Sequence, residues 1–135
     1  MATLTLPVSI VVALAVGCSG DHAAPVDATP RQVVTETKQV FAHEAIEAAL
    51  VGGPGDRAII RLTAPTATLD WGIHGHADGQ TQNVVAETAR SAVDYEFAPA
   101  QSTRWFLRLQ NHGDAPLSLE VQIELFGALA WDGWQ

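Results

Sequence analysis

The chain has 135 residues, of which seven are Lys or Arg and fifteen are Asp or Glu, so its net charge is −8 with neutral histidines. A surface of this sign repels phosphate backbones and anionic lipid headgroups, which argues against nucleic acid and against direct electrostatic membrane binding. Once an apolar leader and a polar connector are set aside, about 100 residues remain, which is enough for one domain and not for two.

The N-terminus predicts a lipoprotein leader. Residues 4–16 are uncharged and largely apolar, with the length of a signal-peptide core and too few residues to cross a bilayer about 30 Å thick. The stretch Leu14-Ala-Val-Gly-Cys18 resembles the lipobox of bacterial lipoproteins, in which the cysteine is diacylated and becomes the first residue after cleavage. We predict a signal peptide over residues 1–17, although no charged side chain precedes Asp21. The alternative is a buried apolar strand.

Cys18 is the only cysteine, so no intramolecular disulfide can form. A free thiol is a liability in an oxidising compartment, and acylation removes it. Ser19 after the cysteine resembles the pattern of lipoproteins sent to the outer membrane of a double-membrane bacterium. Residues 18–30 then form a flexible tether, and the predicted location is the cell envelope, on the outer membrane facing the periplasm where the source has two membranes.

Residues 31–127 predict an all-β domain. Short runs of alternating apolar and polar residues are separated by turn residues about every ten positions. This pattern favours an antiparallel, jelly-roll-like β-sandwich of about seven or eight strands. The expected strands are residues 32–41, 43–51, 58–63, 69–74, 81–88, 93–97, 104–110 and 117–126. The second is ambiguous because its Ala and Glu content also favours helix.

The last two runs are joined by a turn-rich linker, Asn-His-Gly-Asp-Ala-Pro, at residues 111–116. Two alternating strands joined in this way are typical of a β-hairpin, so we expect them to pair with each other. The pair Asp78 and Gly79 marks a second turn, after the run at residues 69–74.

The order of these strands carries a family resemblance. An aromatic-rich strand, Trp105-Phe-Leu-Arg-Leu-Gln-Asn111, ends in Asn before a turn and precedes a last amphipathic strand, Leu119-Glu-Val-Gln-Ile123. With the upstream Leu69-Asp-Trp-Gly-Ile-His74 and Tyr95-Glu-Phe-Ala-Pro99, residues 32–127 look like the GOLD-type β-sandwich and are similar to the bacterial pre-peptidase C-terminal domain. The resemblance implies a non-catalytic binding or folding-support module.

His74 and His76 form the sharpest chemical feature. Residues two apart on a strand share a face, so both imidazoles point away from the face of Trp71 and Ile73, where they can chelate Zn²⁺ or Cu²⁺. Such a site needs a further ligand. We predict His112, although the spacing equally allows several other residues: His43, Asp78, Asp114, Asp21 and His22. The alternative is a pair of solvated histidines.

The C-terminal residues 128–135 predict an aromatic tail. A turn between Trp131 and Trp134 would expose both rings to a sugar or to a groove on a partner. The alternative is a tail that folds back over the open end of the sandwich. Phe106 faces outward on its strand, which predicts that this tail or another chain covers it.

We find no catalytic set. The serines lack a nucleophile-elbow motif, and no glycine-rich phosphate loop follows a strand. Paired carboxylates such as Asp94 and Glu96 occupy outward positions, as on any solvated strand face. The sequence therefore predicts a lipid-anchored envelope module, not an enzyme and without a cofactor, that binds a protein or glycan partner. The alternative is a periplasmic protein that binds Zn²⁺ or Cu²⁺.

Overall fold

The computed structural model describes residues 29–135. These residues form nine β-strands and no helix, as expected from their alternating apolar and polar side chains. The strands are β1 (Gln32–Val40), β2 (Ala45–Gly52), β3 (Arg57–Thr63), β4 (Leu69–Ala77), β5 (Gln80–Arg90), β6 (Ala92–Phe97), β7 (Thr103–Asn111), β8 (Leu117–Phe126) and β9 (Ala130–Trp134). Each of the eight runs predicted from the sequence to be a strand corresponds to one of the strands β1 to β8. The ambiguous second run is β2, because Ala48 and Leu50 at alternate positions enter the core.

The strands form two antiparallel sheets. The four-stranded sheet has the order β1-β8-β3-β6, and the five-stranded sheet has the order β5-β4-β7-β2-β9. The first eight strands are divided between the sheets as in a jelly roll, and β9 extends the five-stranded sheet. The predicted antiparallel β-sandwich is thereby confirmed.

The prediction that β7 and β8 pair as a hairpin is wrong. β7 lies between β4 and β2, whereas β8 lies between β1 and β3 in the other sheet. The linker at residues 112–116 therefore crosses between the sheets. Both strands bury one apolar face, and these faces meet across the core instead of side by side. Turn-rich composition is common to both kinds of connection, so it does not distinguish them.

The turn predicted at Asp78 and Gly79 does join two neighbouring strands, β4 and β5. Both residues have positive φ, +53° and +74°. Two consecutive residues of this kind form the type I′ turn that matches the twist of a two-residue hairpin.

The core lies between the inner faces of the sheets, where alternate side chains from both are buried. Trp105 and Phe97 pack edge to face across it, with ring centroids 5.4 Å apart. Gly75 gives the Trp105 ring its space, since a Cβ at Gly75 would lie 2.6 Å from that ring. Any larger residue at position 75 would therefore collide with the Trp105 ring.

Asn111 is a buried polar side chain at the end of β7, with 0% of its surface exposed. Its Nδ2 donates to the carbonyl oxygens of Val40 at 3.1 Å, Phe41 at 3.2 Å and Ala115 at 2.8 Å. Its Oδ1 accepts from the Gly113 N–H at 2.8 Å. One amide thereby joins the β1–β2 connection to the β7–β8 connection.

The tail expected at residues 128–135 is, over residues 130–134, part of the sandwich. β9 pairs with β2, with a register shift between Ala49 and Leu50. Gly133 supplies the left-handed backbone, φ +85°, that this irregularity requires. The sandwich therefore extends past the boundary at residue 127.

The predicted leader, Cys18 and all but the last two residues of the predicted tether lie outside the described residues. Within residues 29–135 there is no helix with the length and hydropathy needed to cross a membrane.

Candidate functional site

His74, His76 and Phe106 form a ring cluster on the outer face of the five-stranded sheet. Phe106 of β7 lies directly opposite His74 of β4. Its ring is stacked on His74, with centroids 5.4 Å apart and an interplanar angle of 21°. His76 contacts both rings edge-on, at centroid distances of 5.2 Å to His74 and 5.6 Å to Phe106. The two predicted metal ligands, His74 and His76, thus lie in contact with Phe106, which was predicted to bind a partner.

The register that joins these rings has no local signal in the sequence. The two-residue spacing places His74 and His76 on one face, and the alternation of β7 places Phe106 outward. That β4 and β7 are neighbours follows from the crossing connections of the fold. Sequence patterns therefore predict the face of each ring and leave their contact unpredicted.

Charged side chains border the ring cluster on the β2 side. Glu47 Oε1 lies 3.8 Å from His74 Nε2 and 3.9 Å from Arg108 Nε. Burial lowers the pKa of His74, the charges of His76 and Arg108 add to the lowering, and Glu47 opposes it. His74 is therefore a neutral imidazole at pH 7, suited to stacking and to accepting a metal or a hydrogen bond.

Arg104 borders the ring cluster on β7, two residues before Phe106, whereas Arg108 lies two residues after it. The Arg104 guanidinium carbon lies 5.9 Å from the centroid of the Phe106 ring, within the range of a cation–π contact. It also forms an ion pair with Asp132 of β9. Strand β9 thereby helps to hold the side chain that borders the rings.

A depression of about 170 Å³ adjoins the ring cluster over Gly72. A Cβ at Gly72 would meet the Val85 carbonyl oxygen at 2.7 Å, so the glycine lets the backbone of β5 approach. The walls include polar and charged groups from three neighbouring strands: Asp70, His74, Asn83, Glu87, Arg108 and Gln110. The outer face is therefore contoured next to the rings.

His112, the predicted third metal ligand, does not lie beside the other two histidines. It follows the far end of β7, six residues beyond Phe106, which is about 20 Å along an extended strand. There its Nε2 pairs with the Asp70 carboxylate.

Three other candidates for that third ligand are described: His43 and Asp114, which pair with each other, and Asp78, which lies in the β4–β5 turn. His43 Nε2 pairs with Asp114 Oδ1 at 3.1 Å. Across residues 29–135, no three side chains of His, Cys, Asp or Glu are grouped so that they could hold a metal ion. The candidates Asp21 and His22 fall in the part of the chain that is not described.

Trp131 and Trp134 lie at the seam between β9 and β1. Their rings are edge to face with centroids 5.6 Å apart, and both are partly buried against the core. The Trp134 Nε1–H donates to Glu36 Oε2 at 2.7 Å, and Lys38 Nζ lies 4.8 Å from the centroid of the Trp134 ring. The C-terminus thus closes one side of the sandwich, as in the folded-back alternative, and its tryptophans are apart from the ring cluster around Phe106.

Comparisons with known proteins identify the fold. No protein-family model and no curated protein matches the sequence. Among solved structures, the chain is similar to PliG of Aeromonas hydrophila, a periplasmic inhibitor of g-type lysozyme, with a TM-score of 0.55 and 8% identity over 76% of this chain and 92% of that chain. It is also similar to the Yersinia pseudotuberculosis-derived mitogen, with a TM-score of 0.54 and 11% identity over 70% of this chain and 86% of that chain. At these identities the likeness shows the β-sandwich fold alone.

The geometry of the histidine pair predicts a weak metal site. Because only two imidazoles converge, we expect Zn²⁺ and Cu²⁺ to bind with a Kd no tighter than about 1 µM, and this binding should disappear in a His74→Ala/His76→Ala variant. Calorimetric titration of the soluble Cys18→Ala chain, beside a His112→Ala control, measures it. One-to-one binding much tighter than this, lost in the double variant, would instead favour the metal-binding function.

Proposed function

We propose that this chain is a non-catalytic module that binds a protein partner in the bacterial cell envelope, and that a lipid on Cys18 holds it at a membrane. The observation that carries the proposal is the ring cluster of His74, His76 and Phe106 on the outer face of the five-stranded sheet. Glycan binding and metal binding are the competing functions.

The solved neighbours support the general class. PliG is a periplasmic inhibitor that acts on another protein, and the Yersinia protein is a mitogen. Neither description is that of an enzyme. A β-sandwich of this kind therefore serves protein recognition outside the cytoplasm in at least one case, although fold alone does not assign function.

The ring geometry favours a protein over a glycan. A sugar stacks on an aromatic ring whose face is free, and the Phe106 ring is already stacked on His74 at 21° and approached by Arg104. One face of the Phe106 ring is therefore occupied, and charged side chains border the rings. Aromatic and Arg side chains in such a mixed surface are typical of the centre of a protein interface.

The charges at this face also suit a protein. Arg104 is paired with Asp132, whereas the carboxylate that pairs with Arg108 within residues 29–135 is that of Glu47, at 3.9 Å. A separation of that size leaves the Arg108 guanidinium free to form shorter, bidentate bonds. A carboxylate on the partner is the group that this guanidinium fits.

The lipid anchor predicts a change of location on substitution. Cys18→Ala removes the only thiol and with it the site of acylation, so labelling with an alkyne fatty acid should be lost and the protein should move from the membrane fraction to the soluble fraction. Cell fractionation with immunoblotting measures this, with Ser19→Ala as the matched control that keeps both. Continued membrane retention of the Cys18 variant would refute the anchor.

The proposed binding face predicts a site-specific crosslink. Replacing Phe106 by the photoreactive benzoylphenylalanine in the full chain should give a discrete protein adduct in irradiated cells. The control position is Val33, which is 52% exposed on the other sheet, and it should give none.

The identity of the adduct decides among the candidate functions. A protein adduct from position 106 alone supports the proposal. An adduct whose mobility changes on digestion with a glycan hydrolase would favour glycan binding. No adduct, or equal adducts from both positions, would contradict the proposed face.

A further inference from the structure

We propose that the β1–β2 turn, residues 41–44, is a second contact surface, and that Phe41 inserts into an apolar socket bordered by Lys and Arg on the same protein partner. This inference rests on the proposed function and deepens it by giving the partner's chemistry. It is carried by the juxtaposition of an exposed aromatic ring, a turn fixed by many hydrogen bonds, and two carboxylates.

Phe41 is the most exposed of the large apolar side chains in the described part of the chain. Its exposed fraction is 59%, ahead of the others in that class: Val33 52%, Val51 43% and Val84 42%. A single exposed apolar residue needs no explanation by itself. The exposure of Phe41 needs an explanation because several hydrogen bonds fix the backbone that carries it.

The turn that carries Phe41 is closed on itself. The Phe41 N–H donates to Glu44 Oε2 at 2.8 Å, and the Glu44 N–H donates to the Phe41 carbonyl at 3.1 Å. Asn111 completes it, because its side chain donates to the same Phe41 carbonyl and its backbone N–H donates to the Glu44 carbonyl at 3.0 Å. An aromatic side chain on a preorganised turn loses little entropy when it binds.

His43 gives this turn an unfavourable backbone conformation. Its φ is +61°, the left-handed region in which a residue other than glycine costs about 1 kcal/mol or more. Its side chain pairs with Asp114 at 3.1 Å, which fastens the turn to the β7–β8 connection. A conformation of this cost persists because neighbouring bonds enforce it, and such positions are enriched at ligand-binding sites.

Charge indicates what the partner must present. Four connections lie at this end, residues 41–44, 64–68, 91 and 112–116, and none of them contains Lys or Arg. The cation beside them is Arg90 at the end of β5, whose Nε lies 3.5 Å from Glu87 Oε2. Glu44 and Asp114 border the turn, and the Asp114 side chain is fully exposed. Like-charge repulsion excludes an acidic rim or an anionic membrane, so a socket rimmed by Lys or Arg is the complementary surface.

One partner can reach both contact surfaces. The Glu44 carbonyl accepts from the Asn111 N–H, and Asn111 lies five residues along β7 from Phe106, so the turn is about 17 Å from the ring cluster along the sheet. An interface of about 800 Å² on each partner is wider than this. The turn also lies at the far end of β1 from residue 31, so it projects away from the predicted tether.

A crosslink from position 41 tests the inference in the full chain. Phe41→benzoylphenylalanine should capture the same protein as position 106 does, and that protein should have an excess of Lys and Arg. Val33→benzoylphenylalanine, exposed to a similar degree on β1, should not capture it. With the captured protein purified, Phe41→Ala should weaken its Kd about 30-fold or more, and added salt should weaken it further.

The outcomes separate the two proposals. Capture at position 106 with none at position 41 would contradict the proposed contact at Phe41 and leave the proposed ring-cluster surface standing. A Phe41→Ala variant whose Kd lies within about threefold of that of the parent chain would have the same meaning. An acidic captured protein would contradict the contact at Phe41 as well. Capture at neither position contradicts both proposals.

Discussion

The buried amide of Asn111 is the constraint on which the end of the sandwich depends. The connections from β1 to β2 and from β7 to β8 are two of those that cross between the sheets there, and a crossing chain leaves backbone groups without sheet partners. The Asn111 side chain bonds to four such groups: its Nδ2 donates to three carbonyl oxygens, and its Oδ1 accepts from one backbone N–H. The Phe41 carbonyl also accepts from the Glu44 N–H, whereas each of the other three groups would cost about 1–3 kcal/mol if left buried and unsatisfied. The jelly-roll crossing is therefore paired with one well-bonded polar side chain in an otherwise apolar core.

The same crossing determines where binding chemistry can lie. Because β7 and β8 oppose each other across the core, their outward residues occupy two different surfaces instead of one. β7 contributes Phe106 and Arg108 to the five-stranded face, where β4 adds its histidines. The Asn111 bonds hold the Phe41 turn at the end of that sheet. Both proposed contact surfaces thus depend on one strand and the connections at its end.

Sequence alone predicts the local part of this picture. Alternation with a period of two places His74, His76 and Phe106 outward, since side-chain direction is a property of a single strand. The partner of each strand is a property of the whole fold, which is why the β7–β8 hairpin was wrong. β9 was missed because it has five residues and is interrupted at Gly133, which breaks the alternation. In the sequence, Phe41 is only the last residue of a predicted strand, because the hydrogen bonds that fix its turn include long-range bonds to Asn111.

The direct test of this account is the stability of an Asn111→Ala chain. Urea unfolding of the soluble Cys18→Ala protein should show a loss of about 2–4 kcal/mol, and amide exchange should accelerate in residues 41–44 and 112–116. An Asn83→Ala control removes an exposed amide on β5 and should change stability by less than about 0.5 kcal/mol. If the Asn111 variant behaves like this control, the two connections are held by other means and the account is contradicted.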